Sequence, residues 1–187
     1  MNFFDGTIRL ENGQLVFVEG KFLKGSLSSE RGFGAASEPS HGQAPFTPGE
    51  LTFPPDGFTL WLDYLPPAVK DRLSSRVGRH VVLGVRPEHL HLNPVVGQNA
   101  ARESFAAINV RLNVIEPLGS NMDVYMNTAL HDQVVGRLEA QGGLQSGAQT
   151  SIYIDLRRVH FFEPGVTGMN LSLETLSPTS ELYHALA

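Results

Sequence analysis

Apolar and polar positions alternate with period two along most of the chain, the pattern of half-buried strands. In VVLGVRPEHLHL, Val81 to Leu92, the residues Val81, Leu83 and Val85 point one way and Val82, Gly84 and Arg86 the other. Pro87 has no N–H to give, so it ends that ladder, and Glu88-His89-Leu90 turn the chain. Met1–Gly20 predicts a hairpin: one arm from Phe3 to Leu10, a turn at Glu11-Asn12-Gly13, and a return arm Gln14–Val18. Asn-Gly is the usual chemistry of such a turn, because both central residues need positive φ. Phe58, Leu60 and Leu62 predict a further strand with Trp61 on its other face. Pro66-Pro67 then opens a short helix through about Arg76, Val69 and Leu73 lying inward and Gly78 acting as its stop.

The clearest alternation is Ile108, Val110, Leu112 and Val114 against Asn109, Arg111 and Asn113. A turn at Glu116–Ser120 leads to a returning strand lined by Met122, Val124 and Met126. Gln133–Leu138 is a further strand and Gln141–Gln149 a Gly/Gln loop. Ile152, Ile154 and Leu156 face inward from the next strand, Val159 and Phe161 from the last. Lys24–Pro55 breaks the pattern with Gly, Ser, Ala and Pro and reads as a long flexible loop; Asn93–Glu103 is a polar connection. Ser177-Pro178 could cap a short C-terminal helix. About nine to eleven short strands and one or two short helices describe an all-β chain of one or two small OB-like barrels. Residues 1–172 form the folded region and 173–187 a tail.

Composition narrows the chemistry. With 187 residues, 41% hydrophobic and 18% charged, the chain can bury a real core. Its 19 glycines and 12 prolines suit many turns. A net charge of −5 argues against a sequence-independent hold on nucleic acid. With no cysteine, disulfides and thiolate metal sites are excluded. No apolar run approaches the roughly 20 residues of a bilayer helix.

Catalysis finds little to work with. A phosphate-cradling loop needs G-x-x-x-x-G-K-[ST]; at Gly20-Lys21 the hydroxyl position is Phe22 and the first glycine position is Leu15. No G-x-S-x-G elbow occurs. His89 and His91, at i,i+2 on one side of a strand, are a two-ligand start with only Glu88 and His160 to extend it, so no metal is expected. His160 is expected to be half-buried and hydrogen-bonded. Arg31-Gly32-Phe33-Gly34 has a basic-Gly-aromatic-Gly order, but the Ala35–Pro39 stretch after it cannot continue an RNA-binding strand, and linker is the reading. Arg76, Arg79, Arg86, Arg157 and Arg158 offer a candidate oxyanion site, with Arg79, Arg157 and Arg158 as its contacts. Asp71, Glu88 and Asp155 lie close enough in sequence to neutralise these arginines, and structural ion pairs are the preferred reading. Phe3, Phe4, Trp61, Phe161 and Phe162 exceed the needs of single inward faces, so either both sheet faces are covered internally or a partner covers one.

Several stretches together carry a family resemblance. LGVRPEHL at Leu83–Leu90 resembles the signature of the C-terminal regulatory (TOBE, OB-like) domain of maltose/glycerol-phosphate-type ABC-importer ATPases. MNFFDG at Met1–Gly6 resembles the segment after their nucleotide-binding domain, VIEPLGSNMDVYM at Val114–Met126 their "V-x-E-x-L-G" turn, and RRVHFFEPGVTGMNL at Arg157–Leu171 their closing strand. Lys24–Pro55 departs most from the family, and Met1 reads equally as a native start or a truncation. The resemblance implies paired small barrels and an accessory regulatory and dimerisation role in a carbohydrate importer, without catalysis in this chain. It implies a homodimer through the same domain, and a parent subunit whose own nucleotide-binding domain uses ATP and Mg. It also implies permease subunits as indirect partners, a docking regulatory protein, no nucleic acid, and a cytoplasmic position at the inner membrane face. On this resemblance Phe3, Gly78, Gly84, Arg86, Glu88, His89 and Gly119 take shaping and interface roles. The rival reading is a module sensing an oxyanion or sugar phosphate.

Overall fold

A computed structural model describes residues 1–20, 57–94, 104–165 and 168–173. The expected loop at Lys24–Pro55, the expected C-terminal helix and all of the polar connection Asn93–Glu103 beyond Pro94 therefore lie outside the described residues. Ten strands and one α-helix are present among those residues. They form two five-stranded antiparallel sheets, which bears out the all-β, OB-like expectation.

The first sheet has the order β10-β4-β1-β2-β3, built from β1 (Asn2–Glu11), β2 (Gln14–Glu19), β3 (Thr59–Trp61), β4 (His80–Val85) and β10 (His160–Phe162). Its seed is the β1–β2 hairpin, whose two turn residues take the positive φ that the sequence called for: 51° at Asn12 and 80° at Gly13. Between β3 and β4 lies α1 (Pro67–Ser74), shorter at its C-terminus than predicted, with Pro67 in the first turn and Val69 and Leu73 buried. Gly78, at φ 76°, brings the chain back from α1 and donates its N–H to Ile8 O at 2.8 Å. This docks the helix-to-strand connection on β1.

The second sheet has the order β5-β9-β6-β7-β8, from β5 (Leu90–His91), β6 (Phe105–Pro117), β7 (Asn121–Asn127), β8 (Val134–Glu139) and β9 (Gln149–Asp155). Its edge strands β5 and β8 lie against one another, so the sheet nearly closes into a barrel. The closure begins at Pro87–His89, a single 3-10 turn that carries the chain from β4 in one sheet to β5 in the other. The charged corner seen in the sequence is thus the crossover between the two sheets.

One strand departs from its alternation. β6 pairs with β7 in register up to Leu112 and resumes at Val114, leaving Asn113 as an extra residue. The bulge turns Val114 outward, 48% exposed beside Tyr125, and brings Ile115 to the inner side instead. The predicted inward Val114 is therefore corrected: period two cannot register an inserted residue. The inner faces of both sheets share one core, which includes Phe4, Ile8, Phe17, Leu83, Phe161, Val110, Leu112, Met126 and Ile154.

Candidate functional site

Two places in this fold combine chemistry with position: the polar seam where the sheets meet, and an apolar patch on the outside of the first sheet. The seam begins with Asn2, whose side chain donates to Val135 O and accepts from Val135 N, both at 2.8 Å, and so imitates a strand pair between β1 and β8. Its centre is Glu19, the last residue of β2, with a side chain only 1% exposed. A carboxylate buried this deeply must be well supplied with donors. Thr128 Oγ1 donates to Oε1 at 2.5 Å, His131 Nδ1 lies 2.6 Å from the same oxygen, and Phe58 N donates to Oε2 at 3.1 Å. Thr128 also accepts the N–H groups of Leu130 and His131, which fixes the turn between β7 and β8. On its far side the His131 ring accepts the Asp5 N–H at Nε2, 3.0 Å away. Asp5 itself bonds His80 Nε2 through Oδ1 at 2.8 Å.

A hydroxyl, an imidazole and a carboxylate are thus in contact, but not in the order nucleophilic catalysis requires. The basic nitrogen of His131 faces a backbone N–H, and the Thr128 hydroxyl bonds to the carboxylate rather than to the imidazole. A cavity of about 220 Å³ opens beside this seam, lined by Glu19, Phe58, Thr59, Ile108, Asn109 and Thr128 among others. The Glu19 and Thr128 side chains in its wall are already engaged with one another.

The outer patch is built by cross-strand register. Phe3, Gly84 and His160 stand in one row across β1, β4 and β10, and Asp5, Val82 and Phe162 in the next. Phe3 is 55% exposed and meets Phe162 edge to face, ring centroids 5.8 Å apart. Gly84 is the floor beneath them: a Cβ there would lie 2.6 Å from Phe162 Cε2 and 2.9 Å from Met1 Sδ. His160 is half-buried as expected, and its Nδ1 is buried without a hydrogen-bond partner among the described residues.

The remaining candidates scatter. Arg86 and Glu88 form an exposed pair at 3.8 Å across Pro87. His89 and His91 are half-buried; burial pushes both below the ordinary histidine value, with Glu88 opposing this at His89 and Asp155 at His91. Among the described residues no group of three or more His, Asp or Glu side chains could hold a metal ion. Gly119, at φ 84°, makes the β6–β7 turn. Arg157 is held by Asp155 through Nε at 2.8 Å and Nη2 at 2.7 Å, and its guanidinium lies over the Phe105 ring at 5.5 Å. Burial raises the Asp155 carboxyl, yet the Arg157 hydrogen bonds outweigh that and hold it below the usual carboxylate range. Arg76 pairs with Glu163. Arg79 precedes β4, whereas Arg158 precedes the residue pair His160–Gly84 near that strand's other end. The length of β4, about 20 Å, separates Arg79 from Arg157 and Arg158. The three do not converge on one anion.

The signature strand, its corner and the closing strand bound one continuous stretch. Residues 83–162 match the model of the TOBE domain family. This stretch is similar to TOBE domains. Over 92 residues the chain is 31% identical to the oligosaccharides import ATP-binding protein MsmX of Bacillus subtilis (strain 168), covering 49% of this chain and 24% of that protein. It thus spans about a quarter of the length of that relative. Both findings bear out the resemblance read from Leu83–Leu90, and the matched residues also take in Val114–Met126 and the start of Arg157–Leu171. Among solved structures, the molybdate-bound cytoplasmic molybdate-binding protein ModG superposes with a TM-score of 0.47 and 15% identity, over 87% of this chain and 96% of that one. The polar seam had no counterpart in the sequence reading, since Glu19 and His131 stand 112 positions apart.

Proposed function

We propose that this chain acts as the accessory regulatory and dimerisation region of an ABC-importer ATP-binding subunit that serves oligosaccharide uptake. The observation that carries this reading is the 31% identity with MsmX, an oligosaccharide-import ATP-binding protein, alongside the TOBE match. The geometry fits a mechanical role. The seam is committed to joining two sheets, and the outer patch of Phe3 and Phe162 over Gly84 offers exposed apolar surface for a second copy. Two such regions in contact would keep a pair of ATPase domains together while those domains open and close, and a regulatory protein docking on either would bias that hinge. ATP and Mg belong to the nucleotide-binding part of such a subunit, and permease subunits would be met through it. The cytoplasmic face of the membrane follows from the same reading; among the described residues no helix is long and apolar enough to cross a bilayer.

Anion sensing has weaker support, because Asp155 occupies Arg157 and Arg79 stands apart from it. The test is a chimera: the matched segment of MsmX is replaced by this chain, and oligosaccharide uptake is measured in cells lacking MsmX. Uptake restored well above an empty-vector control supports the reading. A chimera that accumulates and hydrolyses ATP but leaves uptake at background overturns it.

A further inference from the structure

The His131 ring sits between two strands of the first sheet but belongs to the second. The Asp5 backbone N–H can only donate, so His131 Nε2, 3.0 Å away, must be an unprotonated acceptor. The ring proton is then on Nδ1, and it is given to the Glu19 carboxylate at 2.6 Å. This makes His131 a neutral imidazole held in a single tautomer by β1 on one side and β2 on the other. Its ring is only 17% exposed and packs edge-on to Phe4, with centroids 5.4 Å apart, so it has little room to flip. Among the described residues the other ionisable groups around it are few. β2 presents Glu19, β1 presents the Asp5 carboxylate, β4 presents His80 bonded to that carboxylate, and Asp132 is the exposed neighbour on its own turn.

From this arrangement we infer that His131 is an acid-operated latch between the two sheets: proton uptake at Nε2 releases Asp5 on β1 while the bond to Glu19 on β2 is kept. The added proton would set two N–H groups head to head, so the bond to Asp5 is lost. At the same time the imidazolium would face the Glu19 carboxylate with a full charge, which strengthens that contact. The β7–β8 turn would pivot on Glu19, loosening the second sheet from the central strand of the first. Asn2, bonded to Val135 at the other end of this junction, does not titrate and would act as the fixed side of the hinge. Such a device would let the region change shape with acidification, independently of whether the importer reading holds.

The experiment is an NMR titration of the full 187-residue chain from pH 8 to pH 5, following the imidazole nitrogens of His131 and the exchange rate of the Asp5 amide. At pH 8 the expected pattern is a protonated Nδ1 and an unprotonated Nε2. As His131 takes up its second proton, Asp5 exchange, corrected for its intrinsic pH dependence, should rise about fivefold to tenfold, the loss of one hydrogen bond. In His131→Asn the side chain can still donate to Glu19 but cannot reach Asp5, so the Asp5 amide should exchange fast at every pH. In His80→Asn the step should persist, which separates it from titration of His80. A proton on Nε2 at pH 8 overturns the inference, as does a His131 that stays neutral down to pH 5, or an Asp5 amide whose protection ignores the titration. If His131→Asn fails to fold, the wild-type and His80→Asn titrations decide the matter by themselves.

Discussion

Gly6 on β1 gives a stringent test of how tightly the first sheet is packed. It faces the core, and a Cβ built on it would lie 2.3 Å from both Cε2 and Cζ of Phe17 and 2.5 Å from Val18 O. Carbon atoms in contact sit at about 3.5–4.0 Å, so the Phe17 ring would have to retreat by over ~1 Å. It has nowhere to go: Phe17 is fully buried, with the Phe58 and Phe161 rings at 6.0 and 6.1 Å. The Val18 carbonyl is backbone on the paired strand and cannot swing aside. Overpacking of this kind costs about 1–3 kcal/mol, and the close carbonyl puts Gly6→Ala at the upper end. Relief of glycine's backbone entropy returns about 0.5–1 kcal/mol. The net is a loss of about 2 kcal/mol, which in urea lowers the unfolding midpoint by about 1 M. Trimming the ring should rescue it: Gly6→Ala with Phe17→Leu should be about 1 kcal/mol more stable than the sum of the single changes. A Gly6→Ala protein with an unchanged or raised midpoint, or strictly additive changes in the double variant, would refute this packing.

Further expectations concern charge, the turn and the Asp155 pair. Burial depresses His89 and His91, so the unfolded chain binds protons first as pH falls. Their stabilisation is therefore present above about pH 6.5 and declines below it, and His91→Gln should flatten the slope of urea midpoint against pH between 7 and 5. Asp155 is also depressed, so its contribution is present above about pH 3.9 and is lost as pH falls through the lowered folded value. Asp155→Asn should weaken the fold by about 1–3 kcal/mol at pH 7, measured by urea unfolding, because Arg157 loses its charged acceptor. Gly13→Ala places a side chain at φ 80° and should cost about 1 kcal/mol in thermal unfolding.

What the sequence revealed depended on how local each signal was. Asn12-Gly13 fixed a turn, Pro67 and Gly78 framed a helix, and the alternation of Met122, Val124 and Met126 marked a core face, because each is a property of a few adjacent residues. The outward turn of Val114 was hidden because a bulge changes facing without changing composition. Glu19 and His131 carried no signal in the sequence, since their partnership exists only once β2 meets the β7–β8 turn. For the arginines the sequence favoured structural ion pairs, as Arg157 makes with Asp155, while Arg79 and Arg158, named together as anion contacts, are sent to different ends by the antiparallel pairing of β4 with β10. Phe3 and Gly84 came from the family resemblance, and only the strand register sets them side by side, with Phe162 against both.

We propose that the outer face of the first sheet joins this chain to a second copy. Sedimentation equilibrium over a wide concentration range, on the wild type and on Phe3→Asp, addresses it most directly. Phe3 is 55% exposed, so the substitution should leave the fold intact. A dimer in the wild type that becomes a monomer in Phe3→Asp, with unchanged circular dichroism, is the expected result. A wild-type chain that stays monomeric at every concentration, or a dimer indifferent to Phe3→Asp, would contradict it.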